Sequence, residues 1–203
     1  MKLSKKGEYA LRSLINLGIA AEMKRKLVQV SELAESEQLP VKFLEQILQA
    51  LKEAGIVASE RGKFGGYRLA KPARKIFIGE VVRLIDGPLA PIGCVSQTAY
   101  EPCTCPDEAH CGLRMLMVDV RNAIANILDR YTLADVVEIT LRKMRRDSVS
   151  LPFAAQVAGA RARPRVPARI ARLQLSGRGR AGRKGRTSPA EGVLHHILGE
   201  YSI

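Results

Sequence analysis

The chain of 203 residues carries 33 lysine and arginine residues against 20 aspartate and glutamate residues, a formal net charge of +13. Apolar residues make up 46% of it, so the chain can bury a core, and a wholly disordered protein is excluded. Residues 1–75 hold 15 basic and 8 acidic side chains, residues 76–146 hold 8 and 9, and residues 147–203 hold 10 and 3. The positive excess therefore lies in two separate blocks.

No run of about 18 apolar residues occurs, and polar residues interrupt the segment behind the basic amino terminus. The sequence predicts neither a membrane span nor a secretory signal. We therefore expect a cytoplasmic protein. We expect no membrane partner.

The first block contains three predicted helices. Apolar residues recur at helical spacing from Ser4 onward and predict a first long helix. A second, short helix is predicted over Glu32–Gln38, with Ser31 as its N-cap. Pro40 opens a third helix that closes near Gly55. Two short helices joined by about three residues predict a helix-turn-helix.

The third helix would present a polar face to DNA. Its apolar positions are committed to the core and comprise Phe43, Leu44, Ile47 and Leu48. The candidate groove-facing residues are Val41, Lys42, Glu45 and Gln46. Glu45 could accept a hydrogen bond from a cytosine amino group, and Gln46 could pair with adenine. The alternative is that these are solvated positions on an ordinary helix.

A basic, glycine-rich turn follows. Residues 56–69 form two short strand-like runs around this turn, which predicts a β-hairpin, or wing. Arg61 and Lys63 are the candidate contacts to phosphate or the minor groove. Gly65 and Gly66 permit a close backbone approach. The position of this hairpin directly after the helix-turn-helix favours DNA binding.

All four cysteines, Cys94, Cys103, Cys105 and Cys111, fall in one segment rich in proline and glycine that we predict to be a loop. Their spacing lacks the CxxC pairs typical of a structural zinc site, and irregular thiols in a loop favour an iron-sulfur cluster. Free thiols, a redox disulfide and zinc remain alternatives. A catalytic cysteine using the nearby His110 and Glu108 is a further alternative, but sequence adjacency is not catalytic geometry, and we predict no enzyme.

A long helix is predicted from Leu113, with Val120 and Ile127 following at intervals of seven. A second apolar seam occupies neighbouring positions, and two seams in one helix favour a packing partner. The alternative is an amphipathic helix lying on its own domain. Thr132 is the predicted cap of a last helix, Leu133–Met144. Residues 147–203, biased to arginine, glycine, alanine and proline, predict a basic disordered tail.

Four segments together resemble a known family. They are Lys2–Leu11, Phe43–Leu48, the wing Arg61–Leu69, and Ile78–Val82. In this order they resemble the IscR, NsrR and CymR family of bacterial winged-helix regulators, the Rrf-two family, over residues 1–146. The resemblance implies a mainly α fold: a winged helix-turn-helix with a small β-hairpin wing and a long C-terminal dimerisation helix. It also implies a homodimer on a palindromic double-stranded DNA operator.

The same resemblance bears on the cofactor. Sensing members hold a two-iron or four-iron cluster with three loop cysteines, spaced C-x5-C-x5-C. Cys105 and Cys111 reproduce the second interval of that pattern, whereas the first interval is stretched and Cys103 is additional. The resemblance therefore does not decide which three cysteines bind. Arg114 stands where the iron-sulfur biogenesis regulator has its histidine ligand. Glu8 matches the acidic ligand that the nitric oxide sensor donates across the dimer, with Cys103 as the all-thiolate alternative and an ordinary exposed Glu8 as another. The cysteine-metabolism repressors bind no cluster.

We therefore predict three regions: a DNA-binding domain (1–75), a sensing and dimerisation region (76–146) and the tail (147–203). The predicted function is transcriptional regulation, as a repressor, in response to redox state, nitric oxide or iron-sulfur status. The alternatives are a cluster-free thiol-sensing regulator and a zinc-stabilised interaction module or thiol enzyme.

Overall fold

Six α-helices and one two-stranded sheet make up the part of the chain that the computed structural model describes, residues 2–62 and 64–153. Residues up to Pro152 form one compact unit. The elements in chain order are α1 (Lys5–Glu22), α2 (Val30–Glu37), α3 (Val41–Glu53), β1 (Val57–Glu60), β2 (Gly66–Leu69), α4 (Ile78–Asp86), α5 (Gly112–Arg130) and α6 (Leu133–Arg146). The predicted mainly α fold with a hairpin wing and a long helix near the carboxyl end is confirmed. Most of the predicted tail lies outside the described residues.

The central helix is α1, which packs against α2, α3, α4, α6 and the second strand. Its buried side includes Leu14 and Leu17. The end of α4 is joined to the start of α1, because the Asp86 carboxylate accepts hydrogen bonds from the backbone N–H (2.9 Å) and hydroxyl (2.5 Å) of Ser4. In turn the Ser4 hydroxyl accepts from Gly7 N–H and caps the helix. None of the described helices is long and apolar enough to cross a membrane.

The start of α2 differs from the prediction. Ser31 was expected to cap this helix, but the N-cap is Gln29 and the helix begins at Val30. The backbone N–H of Gln29 donates to Glu32 at 2.9 Å, and Arg25 pairs with the same carboxylate at 2.6 Å. A glutamate three residues after the cap satisfies an N–H that Ser31 would have left exposed, so the helix starts two residues earlier than predicted.

The wing is an antiparallel hairpin in which Val57 pairs with Leu69 and Glu60 pairs with Gly66. It is joined to the helical body through Val28, since Val28 and Tyr67 exchange two backbone hydrogen bonds of 2.8 and 2.9 Å. A Cβ atom at Gly66 would lie 2.5 Å from the carbonyl oxygen of Val28. Gly66, the third glycine of the wing, is therefore required by contact with the protein's own backbone.

Replacing Gly66 by alanine is expected to lower the free energy of unfolding by about 1–3 kcal/mol, because the added methyl group must push the wing away from Val28. Chemical denaturation checks this. Gly112→Ala is the matched control, since a Cβ there meets no atom within 4 Å. Equal unfolding midpoints for the two variants would contradict the packing argument.

The long helix α5 lies against α4. Its half-buried side chains Ile124 and Leu128, together with Tyr131 just after the helix, pack on a cluster of Ile78, Val82 and Leu89. The junction between the two helices is also fixed by a bidentate ion pair in which Arg83 donates to both oxygens of Asp129 at 2.6 Å. Thr132 caps α6 as predicted, accepting from the backbone N–H of Asp135 at 3.3 Å.

Candidate nucleic-acid interface and cysteine pocket

One face of α3 is open to solvent. Leu44, Ile47 and Leu48 are buried, and Phe43 is half-buried with its ring edge-on to Tyr9 at 5.9 Å between centroids. The helical period then turns the intervening positions outward. All four predicted groove-facing residues are exposed: Val41, Lys42, Glu45 and Gln46. Their contact with bases remains a prediction.

The turn of the wing is the second surface. Arg61 is exposed, whereas Lys63 lies outside the described residues. Gly62 adopts a φ of +115°, which favours glycine, and its carbonyl accepts from the N–H of Gly65 at 2.9 Å. Beside them Phe64 is 81% exposed. Phe64 is not among the wing residues predicted from the charges and glycines of this turn, although an aromatic residue inside a polar turn is visible in the sequence.

Tyr67 on the wing interacts electrostatically with a residue of α3. The pKa of its hydroxyl is raised, first by burial and then by the negative charge of Glu45. Arg68 pairs across the hairpin with Glu60 at 3.4 Å. Among the described residues of the wing, Arg61 is therefore the exposed cation that forms no ion pair.

A buried carboxylate fixes the helix-turn-helix on α1. Glu37, at the end of α2, accepts from Asn16 and pairs with Arg12 at 2.5 Å. Burial raises the pKa of Glu37, and the charge of Arg12 opposes that shift. Arg12 also approaches Glu8 at 3.6 Å. No local pattern predicts this network, because Glu37 lies more than 20 residues from both Asn16 and Arg12.

All four cysteines line one open pocket of about 230 Å³. Cys94 is buried, Cys103 and Cys111 are half-buried, and Cys105 is exposed; all four are free thiols. Glu101 and Arg114 also face this space. The structure therefore brings together the four cysteines that the sequence singled out and Arg114, which stands at the position of the histidine ligand, along with Glu101, which the sequence did not single out.

The thiols form a continuous row of contacts. Cys103 lies close enough to Cys94 and Cys105 for these thiols to influence one another's pKa, and the same holds for Cys105 and Cys111. The backbone N–H of Cys105 lowers the pKa of Cys103, whereas burial raises that of Cys94. The hydrogen bond to Cys103 raises the pKa of Cys105 to about 11. One thiol of the row is thus favoured as the thiolate, the form that binds metals.

The donor set fits an iron-sulfur cluster in kind and number, since such clusters are held by three or four cysteine thiolates from a loop. Within the described residues, no group of three or more histidine, cysteine, aspartate or glutamate side chains is arranged to hold a single metal ion. The thiols therefore have to move together to bind a cluster. Because the loop has only a short 3-10 turn, Gly93–Val95, between α4 and α5, little regular structure opposes that movement.

The cysteine loop is anchored to α5 near both ends of its cysteine row. Arg121 donates to the carbonyl oxygen of Val95 at 2.7 Å, next to Cys94. Cys111 is the N-cap residue of α5. Further along the loop, Arg114 pairs with Glu108 at 3.0 Å. The first and last cysteines of the loop thus both lie next to points where the loop is attached to α5.

Glu8 does not line this pocket in its own chain. It is half-buried on α1, pairs with Lys5 at 2.8 Å, and has its pKa lowered mainly by that lysine. Its role as a ligand from a second copy remains a prediction. His110 also lies outside the pocket lining and pairs with Asp107 at 2.7 Å.

The two apolar seams of α5 have different surroundings. One contacts α4, as described above. The other remains uncovered in the single chain: Leu116 is 56% exposed, and Ala123 is also exposed. The exposed seam has spacings of three and four residues and consists of Leu113, Leu116, Val120, Ala123 and Ile127. This is the pattern of a helix that packs against another helix.

A helix-turn-helix with an exposed second helix, followed directly by a hairpin wing, defines a winged-helix DNA-binding protein. The chain belongs to the Rrf2 family, whose profile, described as that of an iron-dependent transcriptional regulator, matches residues 3–139. It is accordingly a DNA-binding transcriptional regulator and not an enzyme.

Relatives and solved structures agree with this assignment. The chain is 42% identical to an Rrf2-like transcriptional regulator of Rhodobacter capsulatus, over 66% of this chain and 91% of that protein. The structure of CymR, the global cysteine regulator of Bacillus subtilis, is similar with a TM-score of 0.57 and 30% identity, over 68% of this chain and 98% of that one. The T. potens IscR structure gives a TM-score of 0.54 at 28% identity, over 69% and 88%.

Proposed function

We propose that the protein is a cytoplasmic repressor that binds a palindromic operator as a homodimer, and that an iron-sulfur cluster in the cysteine pocket sets its operator affinity. One observation carries the proposal: all four thiols line a single pocket that opens at the first turn of α5. The same helix bears the uncovered apolar seam. Sensing and dimerisation thus share one element, while α3 and the wing contact DNA.

The cluster would supply redox and nitric oxide chemistry that thiols alone lack. The protein's part is to hold the thiols and to register their position. Because Cys111 caps α5 and Arg121 holds the loop at Val95, a change in thiol spacing displaces α5 against its partner. In a dimer that displacement changes the separation of the two α3 helices, which must match the spacing of the operator half-sites.

A cluster-free thiol sensor is the second candidate. The row of free thiols favours it, because neighbouring cysteines can be joined without large rearrangement. Oxidation by hydrogen peroxide would join two thiols as a disulfide and release two water molecules. The same displacement of α5 would then follow without any metal.

Anaerobic purification separates these candidates. The proposal expects a coloured protein that contains iron and acid-labile sulfide, and whose operator affinity changes when the cluster is removed or exposed to nitric oxide. A colourless protein with zinc or no metal, whose affinity responds to peroxide, supports the thiol sensor instead. Unchanged affinity under both treatments would exclude the pocket as a sensor.

Replacing Gln46 by alanine is expected to relax sequence preference at one base pair in each half-site, costing about 1–3 kcal/mol for the preferred base, because a bidentate contact to adenine is lost. Binding to duplexes that vary one position at a time measures this. Gln49→Ala is the matched control: Gln49 is exposed on α3 but pairs with Glu53 at 2.8 Å. Equal effects of the two changes would show that Gln46 does not read a base.

A further inference from the structure

Arg114 carries a buried N–H group that donates to no acceptor in the part of the chain that the structure describes. Its Nε lies 3.0 Å from Oε1 of Glu108, but the angle between them does not make a hydrogen bond. A buried donor without an acceptor costs free energy. Arg121, also on α5, avoids this cost because it donates to the Val95 carbonyl and to the Asn122 side chain. The unused donor of Arg114 therefore indicates that a further acceptor belongs beside it.

The position of Arg114 indicates which acceptor this is. The residue belongs to the first turn of α5, three residues after Cys111, and it lines the pocket together with all four thiols. Among the described residues that line this pocket, Arg114 is the one cation and Glu101 is the one carboxylate. Because Glu101 is exposed, the acceptors inside the pocket are sulfur atoms.

The guanidinium of Arg114 acts on sulfur as a donor and as a positive charge. It stays protonated in a folded protein, so it has no lone pair with which to bind iron. A cluster held by thiolates bears net negative charge, and reduction adds one electron to it. Hydrogen bonds to the sulfurs and the net charge around a cluster both set its reduction potential. A donor and a cation at the pocket therefore stabilise the reduced form.

We propose that Arg114 raises the reduction potential of the cluster in the cysteine pocket, by donating from Nε to sulfur and through its positive charge. The inference rests on the iron-sulfur cluster proposed above, and it names the residue that sets the redox range of the sensor. The electron comes from an external reductant, and no proton moves. Glu108 opposes Arg114, because its carboxylate partly neutralises the guanidinium through their ion pair.

The test is the midpoint reduction potential of the full-length, cluster-loaded protein, measured by anaerobic titration with dithionite and followed by electron paramagnetic resonance. Arg114→Gln removes the charge and is expected to shift the equilibrium about tenfold toward the oxidised cluster, a fall of about 59 mV for one electron. Arg114→Lys keeps the charge and should retain most of the potential. Glu108→Gln breaks the same ion pair but removes a negative charge, so the potential should rise.

Arg142→Gln is the matched control. Arg142 also pairs with a glutamate, Glu138 at 2.6 Å, but it does not line the pocket. We expect this variant to keep the wild-type potential. Iron and sulfide content per chain establishes that each variant carries the cluster.

Opposite shifts in Arg114→Gln and Glu108→Gln support direct action of Arg114 on the cluster. Shifts of the same sign would mean that the ion pair acts only by holding the loop, and unchanged potentials would mean that Arg114 does nothing; either result overturns the inference and leaves the cluster proposal standing. If Arg114→Gln binds no cluster, the other two variants decide, and a fall in the potential of Glu108→Gln or a large fall in that of Arg114→Lys contradicts the inference. A wild-type protein without iron and sulfide overturns the cluster proposal itself.

Discussion

Replacing Leu116 by glutamate is expected to convert the protein into a monomer and to weaken operator binding at least about a hundredfold. Leu116 is the second of the five residues in the exposed seam of α5. A carboxylate there must be buried without a partner when two such seams meet, which costs several kcal/mol per chain. Once the copies separate, each half-site is bound alone and the gain from linking two binding events is lost.

Sedimentation velocity gives the mass, and fluorescence anisotropy on the operator gives the affinity. Asn126→Glu is the matched control, because it adds the same charge to an exposed position of α5 beside the seam. We expect that variant to remain dimeric. A dimer of normal affinity from Leu116→Glu would place the subunit interface elsewhere.

Periodicity predicted the helices well, because the spacing of apolar residues that marks a helix is read within a few turns of the chain. In α3 the spacing of Leu44, Ile47 and Leu48 assigns a buried side, and the exposed positions follow from it. The same holds for the two seams of α5. The start of α2 was missed because serine is a favoured N-cap residue and glutamine is not, whereas the cap at Gln29 depends on the side chain of Glu32 three residues later.

Such local patterns do not predict contacts between segments that are distant in the sequence. Arg121 holds the cysteine loop 26 residues earlier in the chain, and Arg83 meets Asp129 across 46 residues. An arginine on a helix has the same local signature whether it is solvated or paired, so its partner emerges only from the packing of α4, α5 and the loop. The sequence predicted that the cysteine segment is a loop and carries the thiol site. It did not predict that the thiols line one pocket.

Glu8 on α1 matches a ligand position of the family, but in this structure its carboxylate has other partners. Glu8 occupies the position that the resemblance assigns to an oxygen ligand, yet in the single chain Lys5 and Arg12 surround its carboxylate. To reach a cluster in a partner subunit, it would have to leave both cations. Cys103 needs no such rearrangement, since it already contacts two other thiols in the pocket.

Replacing Cys111 by serine is therefore expected to remove the iron-sulfur cluster and to make operator affinity insensitive to nitric oxide. Cys111 is the N-cap residue of α5 and lines the pocket, so its replacement removes the ligand that lies closest to the helix. A serine hydroxyl stays protonated near neutral pH and is a poor ligand for iron in place of a thiolate. Iron and sulfide content per chain after anaerobic purification measures the loss, and Thr104→Ala is the control from the same loop.

Two further variants identify the fourth ligand. If the set is all thiolate, Cys103→Ser changes the electron paramagnetic resonance spectrum and reduction potential of the cluster, and Glu8→Gln leaves both unchanged. We expect this outcome because Cys103 lines the pocket and Glu8 does not. The reverse outcome would mean that Glu8 leaves Lys5 and Arg12 to bind the cluster across the dimer. Unchanged cluster content in Cys111→Ser would overturn the ligand assignment for the loop as a whole.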